Sequence, residues 1–252
     1  MKYTFTNYPK KLSLSYYEKA RSDIVNFYKD SKDVIAIYEY GSVSAPGISD
    51  IDLILVLDNK LLLNQEIFES NAHYLIDGAT IKMPQNVFNR IQYFDKFNLR
   101  KLIGKDLEVM NPTKNEQKYI ELASIIDWVP ERILKLFGIR NTKKINITNT
   151  LCTLYSFCYS LSYLDKILGP SNNAKNLNSE ILSLRNNWFD FENPKNEMIK
   201  CLEKSIHIGS ERLNDFELYL RRSGDYLLSD HDLREDIELE LYPNHFLRFV
   251  NS

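Results

Sequence analysis

The first half of the chain alternates between two spacings of apolar residues. Between residues 14 and 30, apolar side chains recur near helical spacing, which predicts one amphipathic helix. Two nearly continuous apolar runs, at residues 34–40 and 51–57, predict buried β-strands. Because the second run is almost wholly apolar, we expect it to be a central strand of a sheet that is covered on both faces.

A turn signal follows these strands. Asp77-Gly78 is a dipeptide typical of a two-residue hairpin turn, and it lies between the predicted strands at residues 73–76 and 79–83. Pro84 ends the second of these strands. The other elements predicted for this half are two helices and one strand, at residues 61–70, 87–97 and 106–110 respectively.

From residue 113 onward the pattern is helical. Turn and breaker residues divide the apolar periodicity at Gly138, Gly169-Pro170 and Asn193-Pro194. The predicted helices span residues 114–127, 131–137, 146–168, 179–189 and 195–222.

The change of pattern places a domain boundary near residue 112. We therefore predict an α/β domain at residues 1–112, followed by an all-α domain with a C-terminal tail at residues 113–252. A chain of 252 residues is long enough for each of two domains to bury its own core.

Composition and charge narrow the class of protein. The net charge of −2 disfavours a broad surface for nucleic acid, so we do not expect nucleic acid as a partner. The three cysteines are an odd number without a Cys-x-x-Cys pair, which favours reduced thiols and a cytoplasmic location. No apolar run approaches the length of a membrane span, so we expect no membrane partner.

The residues between the two apolar strands carry the candidate chemistry. The first strand ends at Gly41-Ser42, and after a short loop the second strand begins with Asp50 and Asp52. Side chains two positions apart in a strand point to the same face, so both carboxylates are expected on one side. Two such carboxylates beside a loop rich in backbone N–H groups are suited to a divalent cation that holds a phosphate.

This arrangement resembles the signature of the polymerase-β-like nucleotidyltransferase superfamily: Gly-Ser or Gly-Gly, a loop, and then Asp-apolar-Asp/Glu-apolar. The helical second half is also similar to small-molecule members such as the antibiotic adenylyltransferases. The motif resemblance covers roughly residues 34–58. It implies an α/β nucleotidyltransferase core, with a short mixed sheet and flanking helices, followed by an all-α C-terminal domain.

The resemblance also implies a reaction. A Mg²⁺-dependent enzyme of this type moves a nucleoside monophosphate from a nucleoside triphosphate to a hydroxyl or phosphate of a small-molecule or glycan-like acceptor, and releases pyrophosphate. Asp50 and Asp52 would hold two Mg²⁺ ions. Gly41 would let the backbone approach the triphosphate closely, and Ser42 would contact its terminal phosphates. Ser49 is assigned to the same nucleotide-binding set.

The third carboxylate of the family pattern is not obvious here. Glu108, between Leu107 and Val109, has the apolar frame and the acid, and we take it as the candidate catalytic residue. Lys82 has the frame but not the acid, and its ammonium group would either bind a phosphate or replace a cation. Asp77 is a further possibility, although an aspartate is expected in a turn for backbone reasons alone.

Two other functions remain open from the sequence. The same fold could modify an RNA end or a protein hydroxyl. It could also bind a nucleotide without turnover, since the loop is short and the third acid is uncertain.

Overall fold

The computed structural model describes residues 3–58, 75, 80–93 and 98–223. They form a mixed α/β structure with a short mixed sheet, flanking helices and a helical C-terminal region. The strands are β1 (Thr4–Thr6), β2 (Val34–Tyr40), β3 (Asp52–Leu57), β4 (Thr80–Pro84), β5 (Leu99–Gly104) and β6 (Lys144–Asn146). The helices are α1 (Leu14–Tyr28), α2 (Gln85–Phe88), α3 (Lys114–Thr142), α4 (Ile147–Leu168), α5 (Asn172–Asn186) and α6 (Pro194–Ser223).

The main sheet has the strand order β4-β3-β2-β5. Its β2 strand pairs antiparallel with both β3 and β5, whereas β3 and β4 are parallel. The predicted central position of the second apolar run is confirmed, because residues 53–57 are at most 1% exposed. A strand buried on both faces needs an almost wholly apolar sequence, which this one has.

Each face of the sheet carries its own core. Leu53, Leu55 and Leu57 of β3 pack on one face with α1, and we call this the first core. Ile54 and Val56 point to the other face and pack with the region around α2, which we call the second core. Alternate residues of one strand therefore supply both cores.

Two elements of the α/β half differ from the prediction. The helix expected at residues 87–97 is instead α2 followed by a short 3-10 helix at Ile91–Tyr93, and residues 94–97 lie outside the described part. The strand expected at residues 106–110 was wrong, since the strand in this region is β5. The β5 segment pairs with the side of β2 that β3 does not occupy. Local composition does not reveal this pairing, because it joins segments that are distant in the chain.

Gly104 shows why this pairing is specific. Its φ is +93°, and a Cβ atom there would overlap the carbonyl oxygen of Ile35 and lie 2.6 Å from the Cα of Ala36. Only glycine combines this backbone conformation with so close an approach to the neighbouring strand.

The predicted hairpin is described only in part. Its second strand is β4, which ends at Pro84 as expected and pairs with β3. Leu75 itself has a 3-10 conformation instead of the predicted strand conformation, and its carbonyl accepts the N–H of Ile51 at 2.6 Å. The other residues of the predicted first strand, the Asp77-Gly78 turn and the predicted helix at residues 61–70 lie outside the described residues.

The described chain divides into two compact units. One lies within Leu12–Ile120 and contains the main sheet. The other combines residues 3–11 with residues 121–223. The N-terminal strand β1 therefore belongs with the helices, where it pairs in parallel with β6.

The helical region confirms most of the predicted helices but joins two of them. The break between the helices predicted at residues 114–127 and 131–137 is absent, because α3 runs continuously through Pro130. The break predicted at Gly138 was also wrong, since α3 continues to Thr142. Proline removes one N–H from the helix, so the carbonyl of Ile126, four residues earlier, loses its helical partner. Ile126 is a 48% exposed residue, and a carbonyl on an exposed helix face can bond to water instead.

The other helices are capped or packed in recognisable ways. The helix predicted at residues 179–189 is α5, which starts earlier, at Asn172. The hydroxyl of Ser171 caps it by accepting the N–H of Ala174. The side chain of Asn146 caps α4 in the same manner. No helix in the described part of the chain has both the length and the apolar composition that crossing a membrane requires.

Substituting Gly104 by alanine should destabilise the protein by more than about 2 kcal/mol, because a Cβ atom there would meet backbone atoms that cannot move aside. At Gly138, in α3, a Cβ atom would project into open space as far as the described residues show. Gly138→Ala should therefore stabilise the protein by roughly 0.5–1 kcal/mol. Urea unfolding of the two variants measures both effects, and an unchanged transition for Gly104→Ala would contradict the proposed backbone constraint.

Candidate functional site

The end of β2 and the start of β3 bring the motif together. Tyr40 and Asp52 are paired across the two strands, so the intervening loop connects the end of β2 to the start of β3 on the same side of the sheet's strand ends. Gly41 and Ser42 are exposed there, and the φ of Gly41 is +80°. A Cβ atom on Gly41 would lie 3.7 Å from Oδ2 of Asp52, so this glycine directly borders the carboxylate.

Asp50 and Asp52 interact electrostatically. Burial, followed by the negative charges of Asp50 and Glu39, raises the pKa of Asp52 from 3.8 to about 7. By strand alternation Asp52 shares a face with Ile54, while Ile51 and Leu53 lie in the first core. The site therefore concentrates negative charge at the start of a buried strand.

The loop between the two strands is braced from within. The hydroxyl of Ser49 accepts the N–H of Ala45 at 3.0 Å, and the carbonyl of Ala45 accepts the N–H groups of Ile48 and Ser49. The N–H of Ser44 donates to the carbonyl of Ser42.

Tyr17 of α1 completes this bracing. Its side chain is fully buried, and its hydroxyl donates to the carbonyl of Ser49 at 2.7 Å and accepts the N–H of Gly47 at 2.8 Å. Together with the bonds inside the loop, this engages every amide N–H from Ser44 to Ser49, because Pro46 has none.

A buried ion pair lies one helical turn further along α1. Nε and Nη2 of Arg21 donate to the two carboxylate oxygens of Glu39 at 2.7 and 2.6 Å. Glu39 is only 4% exposed, and it stands two residues before Gly41. A bidentate pair of this kind offsets the cost of burying both charges. It also ties the end of β2 to α1.

The structure places the other residues predicted for the site as follows. Ser49 is 4% exposed, and its hydroxyl is used within the loop. Lys82 pairs with Leu55, which puts it on the face of the first core and away from the face of Asp52. Glu108 is exposed on the segment that follows β5, where its neighbours Leu107 and Val109 pack against the second core. Nucleotide binding by Ser49 and Lys82 and catalysis by Glu108 stay predictions.

Three residues beside the motif were not singled out from the sequence. Tyr17 and Arg21 are spaced by one helical turn on α1, and Glu39 is an acid inside an otherwise apolar strand. The lone acid was a usable signal, since a buried carboxylate needs a partner. Its partner is 18 positions away in the chain, so only the packing of α1 on the sheet reveals it.

Within the described ranges, no group of three or more His, Cys, Asp or Glu side chains is placed to hold a metal ion. Comparisons of the chain with protein-family models and with curated proteins find no match.

Replacing Asp52 by asparagine should stabilise the protein above neutral pH when no divalent cation is present. Folding raises the pKa of Asp52 to about 7, so between about pH 4 and 7 the folded state binds a proton that the unfolded state has lost. Because the folded state holds this proton more tightly, protonated Asp52 contributes stability that is fully present below pH 4 and is lost as the pH rises through 7. Since each pKa unit corresponds to about 1.4 kcal/mol, we expect Asp52→Asn to gain roughly 1–3 kcal/mol at pH 8 and almost nothing at pH 4.

Urea unfolding in the presence of EDTA at both pH values measures this difference. Asp58→Asn is the matched control, because Asp58 is exposed and directly follows the same strand. Its effect should stay within about 0.5 kcal/mol at either pH. Equal gains in the free energy of unfolding for Asp52→Asn at pH 4 and pH 8 would show that the charge of Asp52 does not destabilise the folded protein.

Proposed function

We propose that this protein is a Mg²⁺-dependent nucleotidyltransferase that moves a nucleoside monophosphate from a nucleoside triphosphate to a small-molecule or glycan-like acceptor. The observation that carries the proposal is the pair Asp50 and Asp52, whose negative charges repel each other beside the exposed Gly41-Ser42 turn. On this proposal, α1 and the main sheet form a nucleotidyltransferase core. The order strand, Gly-Ser, loop, Asp-Ile-Asp, strand supports it.

The donor groups fit a divalent cation. Carboxylate oxygens are hard ligands of the kind that Mg²⁺ prefers, and Mg²⁺ commonly binds through one or two carboxylates plus substrate phosphates. Keeping Asp52 charged at neutral pH costs free energy because its pKa is raised to about 7. A bound cation would remove that cost. When bound, Mg²⁺ supplies positive charge to the phosphate oxygens and lowers the pKa of the acceptor hydroxyl.

The chain's own groups orient the substrate. Gly41 has no side chain to obstruct a phosphate next to Asp52, and Ser42 offers an exposed hydroxyl and amide at the same turn. In the reaction the acceptor oxygen forms a bond to the α-phosphorus. The bond from that phosphorus to the bridging oxygen breaks, and pyrophosphate leaves with the electron pair. The acceptor proton passes to water. Catalysis of this type depends mainly on positioning and on neutralising charge.

Asp50→Asn and Asp52→Asn should each lower the rate of pyrophosphate release by at least about 100-fold, while the protein stays folded. The assay combines each of the four nucleoside triphosphates with Mg²⁺ and a pool of metabolites and sugars. Asp58→Asn serves again as the control and should retain activity.

Two results would decide against this function. If the wild-type protein binds Mg-NTP by calorimetry but releases no pyrophosphate under any condition, it is a nucleotide-binding module. If either asparagine variant unfolds, its carboxylate serves the structure.

A further inference from the structure

Helix α1 contacts the motif at two places, the end of β2 and the loop before β3, from a single face. Tyr17 and Arg21 are four positions apart, so they project in nearly the same direction from the helix. Arg21 reaches Glu39, near the end of β2, and Tyr17 reaches Gly47 and Ser49, just before Asp50. The helix therefore anchors the chain both before and after the Gly41-Ser42 turn.

The two hydrogen bonds of Tyr17 determine the shape of the loop. Gly47 has φ +88°, a conformation that glycine can leave easily because it has no side chain. The bond from its N–H to the hydroxyl of Tyr17 holds it there. Ser49 is held through its carbonyl by the same hydroxyl, and Ser49 precedes Asp50 directly. Removing the hydroxyl would leave the partly buried N–H of Gly47 and the buried carbonyl of Ser49 without this partner, which favours a shift of the loop that satisfies them.

We propose that Tyr17 is a positioning residue of the nucleotide site. Its buried hydroxyl sets the separation between the phosphate-facing turn at Gly41-Ser42 and the carboxylate of Asp50. This inference rests on the proposed nucleotidyltransferase function, because the groups it positions are those assigned to the triphosphate and Mg²⁺. A displacement of about 1 Å between such groups is enough to lower activity by about 100-fold.

The test compares Tyr17→Phe with Tyr38→Phe. Tyr38 is a matched control, since it is also a buried tyrosine of this unit whose hydroxyl bridges a carbonyl and an amide, those of Lys105 and Leu107, at 3.3 and 3.2 Å. That bridge holds the segment after β5 instead of the motif loop. The two variants therefore lose the same kind of interaction at different places.

Hydrogen exchange and nucleotide binding are measured on both variants. In Tyr17→Phe, the amide of Gly47 should exchange at least about tenfold faster than in the wild type. The Kd for whichever Mg-NTP binds the wild type most tightly, and the KM for that nucleotide, should rise by at least about tenfold. Partial unfolding would lower the apparent kcat by removing active protein but would leave Kd and KM unaltered, so the rise in Kd and KM distinguishes a displaced loop from a partly unfolded protein. Tyr38→Phe should leave the Gly47 exchange rate, Kd and KM unchanged.

Ser49→Ala provides a second variant should Tyr17→Phe fail to fold. It removes a different brace of the same loop, the acceptor for the N–H of Ala45, and the side chain is buried. We expect the same signature with a Kd increase of about threefold or more.

Three outcomes would overturn the inference. Unchanged exchange at Gly47 in Tyr17→Phe would show that the hydroxyl does not hold the loop. Faster exchange with an unchanged Kd and KM would show that the loop shape does not matter for nucleotide, while leaving the proposed function intact. Absence of Mg-NTP binding by the wild type would overturn the proposed function and this inference together, whatever the exchange rates.

Discussion

The position of Asp52 at the start of a fully buried strand is the constraint on which the candidate site depends. Residues 53–57 of β3 are almost inaccessible to water, so the carboxylate of Asp52 stands where the apolar interior begins. Burial is the largest cause of its raised pKa, and the charges of Asp50 and Glu39 add to it. A fold that places negative charges so close together stores an unfavourable interaction that a cation can relieve.

The rest of the sheet and α1 keep that arrangement in place. Glu39 adds negative charge near Asp52, but its own carboxylate is balanced by the two hydrogen bonds from Arg21. Removing one partner of a buried ion pair typically costs about 3–5 kcal/mol, because the other charge is left buried without compensation. The same helix face carries Tyr17, which connects the loop to the first core. Stability and site geometry thus depend on the same helix.

The bracing of the loop also limits how it can hold a phosphate. In a phosphate-binding loop, several successive amide groups point at the ligand. Here the amides from Ser44 to Ser49 are used inside the loop or by Tyr17. On the proposed function, the amide contacts to a phosphate would therefore come from outside residues 44–49, at the exposed Gly41-Ser42 turn. The short loop acts mainly as a rigid connection between this turn and Asp50.

By itself, the sequence determined α1, β2, β3 and most of the later helices, together with the place of Asp50 and Asp52 at the entry to β3. These features follow from local periodicity and from the apolar composition that a buried strand requires. Only the tertiary structure decided that β5, and not residues 106–110, completes the sheet, that α3 continues through Pro130, and that Arg21 pairs with Glu39. Each of these depends on contacts between segments distant in the chain or on exposure to water, and neither quantity is written in the local pattern of residues.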